Sequence, residues 1–189
     1  MGLRRLMQRL RGLSAGEAVS LLVPARVDLI LYEGPSDCEE VAHTLKQDVS
    51  IRRYSHGDPL PAHLPVKIPT ADRMLYVMVD DETGGLIHTA AVMFSTLLPA
   101  RFGYDPFVPV IGDCHTRAPY RAHRVYPHVL GHILKDLRKC RLASTAYVLV
   151  SPRNLPSIAG IERAGFKRVA RLQGWRVAGL MIRRIRGRH

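Results

Sequence analysis

VSPRNLPSIAGIERAGF, Val150 to Phe166, is the stretch that decides the fold. The apolar run Thr145 to Val150 leading into it has the pattern of a strand buried on both faces. Asn154 supplies a side-chain oxygen to cap a helix running through Ala164, and Gly165 ends that helix. Upstream, Val125, Val129, Leu130, Ile133, Leu134 and Leu137 recur at three and four, which predicts a second helix from Val125 to Cys140. Lys135, Arg138 and Lys139 in its last turns suit the helix dipole, and Pro127 in its first turn costs little. Phe107 to Ile111 reads as the strand before this helix. Phe166 to Val169 and Val177 to Ile182 read as closing strands.

Working toward the N-terminus, the pattern becomes antiparallel. Met74 to Val79 and Leu86 to Phe94 flank the turn Asp80 to Gly85, where the glycine pair supplies positive φ and the acids keep the turn wet. Val27 to Tyr32 is a strand stopped by Gly34 and Pro35, and Ser36 with Glu39 forms a capping box for a short helix through Lys46. Pro59, Pro61, Pro65 and Pro69 make Tyr54 to Thr70 an irregular connection. The expected class is therefore α/β (α+β), a mixed and largely antiparallel central sheet flanked by helices. Residues 26–189 form one domain. Residues 1–25 precede it as a basic amphipathic helical segment, with Leu3, Leu6, Met7, Leu10 and Leu13 opposite Arg4, Arg5, Arg9 and Arg11.

The chain has 189 residues, 47% hydrophobic and 23% charged, the composition of an ordinary folded chain and not of a disordered or fibrous one. Three cysteines are too few for a disulfide framework, which points to a reduced, cytoplasmic setting. Glu17 and the shortness of the apolar run Ala18 to Ala25 argue against a secretory leader. The best membrane-span candidate, Leu86 to Ala100, is broken by His88, Thr89, Ser95 and Thr96 and falls short of the roughly 18 apolar residues required. The charge is less ordinary. Lys and Arg number 28 against 16 Asp and Glu, a net +12. From Arg163 to His189 there are nine basic residues and no acid. Such a balance calls for an anionic partner: nucleic acid, a membrane surface, or a phosphate-bearing small molecule.

The loop TRAPYRAHR, Thr116 to Arg124, opens directly into the helix at Val125. A helix N-terminus presents unpaired N–H groups and a positive dipole end, and Arg117, Arg121 and Arg124 add forked donors suited to a pyrophosphate. Together with this loop, the Val150–Phe166 stretch resembles the closing motif of the GNAT superfamily of acyl-CoA N-acyltransferases. That motif has a strand, then Asn, a small residue three positions on, an apolar–Glu pair, and Gly-Phe, all at the spacing kept here by Asn154, Ser157, Ile161, Glu162, Gly165 and Phe166. Pro119 to Pro127 resembles the family's acyl-CoA loop, an Arg followed by two spaced glycines. The likeness is to a variant running Tyr-Arg-Gly-x-Gly-Ile-Tyr-Pro, and it covers roughly residues 74 to 185. The sequence departs at Ala122, at Arg124 in place of the first spaced glycine, and at Ile161, where the family often places a catalytic tyrosine.

The resemblance implies acetyl-CoA as co-substrate, no metal, and direct transfer without a covalent acyl-enzyme. It places the donor in a splay between two parallel strands, Phe107–His115 and Thr145–Val150. Cys114 and Thr116 would hold the pantetheine arm, Arg121, Ala122, Arg124, Val125 and Tyr126 the pyrophosphate, and Asn154 the arm. Ser157 would donate to the sulfur. Attack of an amine on a thioester needs orientation, oxyanion donors and a base. Asp113 and His115 are the base candidates, sharing one face of an extended strand on either side of Cys114. The alternative for Asp113 is an ion pair with Arg117 or Arg121. Cys114 reads as a small hydrophobe more than a nucleophile. Tyr126 is a packing residue or a substitute for the missing acid. His128 and His132 lie four apart, but Val129 stands where zincins place Glu. Trp175 reads as a packing residue of a closing strand.

The function expected is acetyl transfer to a primary amine of a small acceptor, an amino sugar by default, in a monomer or homodimer, with peripheral contact to an anionic membrane or other anionic partner. A second reading is a non-catalytic GNAT-like module whose arginine-rich ends bind a membrane surface or nucleic acid. Few aromatics interleave with the basic segments, which disfavours nucleic acid.

Overall fold

Hydrophobic alternation and turn chemistry produce eight strands, β1 Ala25–Glu33, β2 Val49–Tyr54, β3 Arg73–Asp80, β4 Leu86–Met93, β5 Val110–Thr116, β6 Tyr147–Val150, β7 Lys167–Val177 and β8 Leu180–Arg188. The helices are a single turn α1 Leu97–Ala100, then α2 Val125–Lys139 and α3 Leu155–Arg163. The structure is a computed structural model that describes residues 25–35, 41–62, 65–66, 68–177 and 180–188. The expected N-terminal amphipathic helix lies outside these residues, as does the 36–40 part of the helix expected from Ser36.

Among the described residues the strands form one sheet in the order β2-β3-β4-β5-β6-β1-β7-β8, in which only β5 and β6 run parallel. The mixed, largely antiparallel sheet with flanking helices is the architecture expected. Its order was not foreseen, because β1 is inserted between β6 and β7. That position is fixed by specific contacts. Asp28 accepts two hydrogen bonds from Arg171 on β7, at 2.8 and 2.9 Å, and the Tyr32 hydroxyl donates to Glu162 of α3 at 2.7 Å. Glu162, read above only as a motif residue, therefore docks α3 onto β1.

All six apolar positions of the α2 stripe are buried against one face of the sheet, packing on Tyr76, Met78, Ala90, Val92 and Ile111. Burying such side chains contributes about 1.5–3 kcal/mol each. Asp136, beside the stripe on α2, accepts from the Tyr76 hydroxyl at 2.8 Å and from Arg53 at 2.9 Å, tying the helix to β3 and β2. The opposite face of the sheet carries a separate apolar cluster of Leu75, Val77, Val79 and Leu86, covered by Tyr54, Leu60 and Val66.

Several expectations are corrected. Residues 41–46 form irregular chain in place of helix, because their backbone groups bind elsewhere: Thr44 N–H donates to His123 C=O at 2.9 Å, and Val41 C=O lies 2.9 Å from His128 Nδ1. The fifth strand begins at Val110, leaving Phe107 86% exposed. β2 was not anticipated. β7 is one long strand across the gap left between the two closing strands, and its Trp175 is 46% exposed instead of packed. In the β3–β4 turn only Gly84 takes positive φ, and Asp80 is buried, accepting from the Glu82 and Thr83 amides.

Candidate functional site

The site follows from how β5 is held on its two edges. On the β4 side, Ala91 pairs with Gly112 and Thr89 with His115, so two steps on β4 face three on β5. The extra residue is a β-bulge, and Asp113 takes a φ of 48° there. On the β6 side the ladder is short. Val110 pairs with Tyr147 and Ile111 with Val148, and no pairing follows. Beyond Ile111 the two parallel strands part. The gap is the mouth of a cleft of about 560 Å³, walled by the end of β5, the first turn of α2, and the first turns of α3.

All nine residues expected to hold a cofactor line this cleft: Cys114, Thr116, Arg121, Ala122, Arg124, Val125, Tyr126, Asn154 and Ser157. The loop before α2 keeps the backbone shape glycines would allow. Ala122 and Arg124 both adopt left-handed φ, 67° and 55°, a conformation that costs L-residues about 1–2 kcal/mol. Arg124 is the N-cap of α2 and its side chain makes no cap, so the first-turn N–H groups of Val125 and Tyr126 have no capping side chain. Among the described residues the cleft lining includes Arg121, Arg124 and Arg163 and no Asp or Glu. Arg121 Nε donates to the Thr116 carbonyl at 3.1 Å, which folds its guanidinium over the strand end. Across the gap, Asn154 Oδ1 caps α3 by accepting from Ser157 N–H at 3.3 Å, which leaves the Asn154 amide NH₂ as a donor. The arrangement suits an extended anionic ligand: donors and a helix dipole at one end, a narrow slot between strands at the other.

Tyr126 fills the floor. A Cβ on Gly160 would lie 2.6 Å from Tyr126 Cδ1, so the ring passes directly over α3 at its one side-chain-free position there. Its hydroxyl donates to the Cys114 thiol, and its ring stacks on His88 with centroids 5.9 Å apart. Burial pushes the Cys114 thiol up to about 12 and raises Tyr126 as well. Cys114, half-buried between the two strands' ends, thus favours the protonated thiol over the nucleophilic thiolate. Ile161, where the family often places a tyrosine, is wholly buried and does not line the cleft.

His88 escaped the sequence reading. It sits on β4 facing the cleft, 1% exposed, with Nδ1 2.7 Å from Thr116 Oγ1 and Nε2 buried without a partner. Burial, with His115 nearby, holds its pKa down to about 3, so it is neutral. The available signal was parity: His88 shares a strand face with Ala90 and Val92, both buried.

Of the two base candidates, His115 joins the other predicted residues and Asp113 does not. Asp113 does not line the cleft. Its carboxylate pairs with Arg73 on β3 at 2.8 Å, not the partner expected. His115 is exposed and reaches both the cleft and a second cavity on the opposite face of the sheet. His128 and His43 pack ring edge to face, and among the described residues no three His, Cys, Asp or Glu side chains cluster as metal ligands. No helix among the described residues is long and apolar enough to cross a membrane.

No protein-family model and no curated protein matches the sequence. Solved structures do match. A Drosophila protein from a structural genomics programme superposes with a TM-score of 0.55 at 13% identity, over 93% of this chain and 58% of that one. A tandem GNAT protein from the clavulanic acid biosynthesis pathway, determined without AcCoA, superposes with a TM-score of 0.52 at 15% identity, over 85% of this chain and 56% of that one. The chain thus spans somewhat more than half the length of each. The sheet that parts between β5 and β6, with α2 and α3 bordering the gap, is a GNAT-like fold.

Proposed function

We propose that the protein transfers an acetyl group from acetyl-CoA to a primary amine by direct attack in a ternary complex. The observation that carries this reading is the two-residue β5–β6 ladder ending in a cleft lined by Arg121, Arg124 and Arg163 at a helix N-terminus. The pyrophosphate would lie against the α2 first turn with Arg121 and Arg124. The pantetheine arm would run between β5 and Asn154, and Ser157 would face the sulfur.

His115 is the base this reading favours, since it borders both the donor cleft and the second cavity, whereas the Asp113 carboxylate is engaged by Arg73. The amine nitrogen attacks the thioester carbon and the carbon–sulfur bond breaks. His115 takes the amine proton, directly or through water, and the departing thiolate is protonated from the Ser157 side or by solvent. With Ile161 buried, orientation and the neutral, low-dielectric Tyr126–His88 floor carry more of the rate than a dedicated acid.

The test is binding followed by turnover. Acetyl-CoA at 100 times its dissociation constant stabilises by about 2.7 kcal/mol, a melting shift of roughly 5–10 °C for a chain this long. A flat melting profile, with salt-dependent binding to anionic vesicles or RNA, favours the non-catalytic module instead. His115→Ala with unchanged kcat and pH profile removes it as the base.

A further inference from the structure

The second cavity, about 500 Å³, lies on the face of the sheet opposite α2. It is not separate from the donor cleft. Cys114 and His115 line both, so at the bulge of β5 a single stretch of backbone divides them. An amine seated in the second cavity reaches the thioester past His115.

The walls of this cavity state what fits. Val66, Leu75 and Leu86 make an apolar side, the last two 3% and 7% exposed. The polar side holds Asp113 paired to Arg73, and Arg117, whose guanidinium has no carboxylate partner among the described residues. Among the described residues Thr89 carries the one lining hydroxyl. Two guanidinium groups against one carboxylate leave a net positive charge beside apolar walls. A polyhydroxylated amino sugar finds few hydrogen-bond partners here and would desolvate its hydroxyls against leucines. A carboxylate on an apolar body finds a fork donor at Arg117, a match of geometry as well as charge.

Resting on the acetyl-transfer reading, we infer that the acceptor is an amine bearing a carboxylate on an apolar skeleton, held through Arg117, with its nitrogen directed at His115 and Asp113. The acceptor class thus differs from the amino sugar expected by default.

The experiment compares leucine and phenylalanine with their methyl esters and with glucosamine as acceptors, using labelled acetyl-CoA, and records the acetyl-CoA melting shift alongside. The carboxylated amines should bind the protein–CoA complex and be acetylated, with kcat/KM at least tenfold above their esters, the scale of a lost charged hydrogen bond. Arg117→Gln should erase that preference and retain the acetyl-CoA melting shift. Conservative Arg117→Lys should restore it in part. If acetyl-CoA binds but esters or glucosamine serve equally well or better, the inference is overturned while acetyl transfer stands. It is equally overturned if acetyl-CoA binds and no carboxylated amine binds or reacts. Absence of any acetyl-CoA binding overturns the acetyl-transfer reading itself.

Discussion

Gly160→Ala probes the packing that shapes the cleft. The added Cβ would lie 2.6 Å from Tyr126 Cδ1, 3.3 Å from Cε1 and 3.7 Å from Cγ, so the ring must move. Overpacking of this kind costs about 1–3 kcal/mol. Against it stands the gain from replacing glycine inside a helix, about 0.5–1 kcal/mol, because α3 holds Gly160 at ordinary helical φ. The net expectation is a loss of roughly 0.5–2 kcal/mol, a melting point lowered by about 1–8 °C. Moving the ring also breaks the Tyr126–Cys114 hydrogen bond and the stack on His88, so acetyl-CoA affinity should fall with stability. The decisive form is a double-mutant cycle by urea unfolding. In a Tyr126→Ala background the clash is gone, and Gly160→Ala should then stabilise by about 0.5–1 kcal/mol, reversing its sign. Equal destabilisation in both backgrounds would refute the placement of the ring over α3.

Other expectations concern strain, charge and pH. Ala122→Gly releases a left-handed residue and should raise stability by about 0.5–1 kcal/mol with acetyl-CoA affinity unchanged. Arg124→Gly should stabilise similarly yet weaken acetyl-CoA binding about tenfold in calorimetry, since it removes a cation from the cleft. Loss of stability in Ala122→Gly would count against the loop geometry. His88, with a folded pKa near 3 against 6.5 unfolded, takes up its proton only in the unfolded chain between those values. Its contribution is complete above 6.5 and declines as pH falls, by about 1.4 kcal/mol per unit. His88→Gln should lose this part of the slope, so the wild-type protein should drop about 2 kcal/mol more than the variant between pH 6.5 and 5. Parallel slopes in the two proteins would show that His88 is not buried as a neutral ring.

What the sequence disclosed was local. The α2 stripe was legible because six apolar residues repeat at helical period, and α3 because Asn154 and Gly165 are cap residues whose chemistry acts within four positions. The parting of β5 and β6 followed from the family likeness of those same segments. What stayed hidden depends on contacts distant in the chain. β1 reads as a strand, yet nothing near it says that Asp28 meets Arg171 or that Tyr32 meets Glu162. Asp113 found Arg73, forty positions away, because the bulge at φ 48° turns it from the line of the strand. β2 was overlooked because Ser50, Arg52 and Arg53 mask the alternation of Val49 and Ile51. At Ala122 and Arg124 the backbone is left-handed although neither residue is glycine, which residue type alone does not disclose.

The most direct test is a crystal structure with acetyl-CoA bound. The account predicts the pantetheine chain inserted between β5 and β6 beyond Ile111, its pyrophosphate at the amides of Val125 and Tyr126, and the acetyl carbon beside His115. A ligand seated elsewhere, or strands hydrogen-bonded to each other from Ile111 through Thr116, would contradict it.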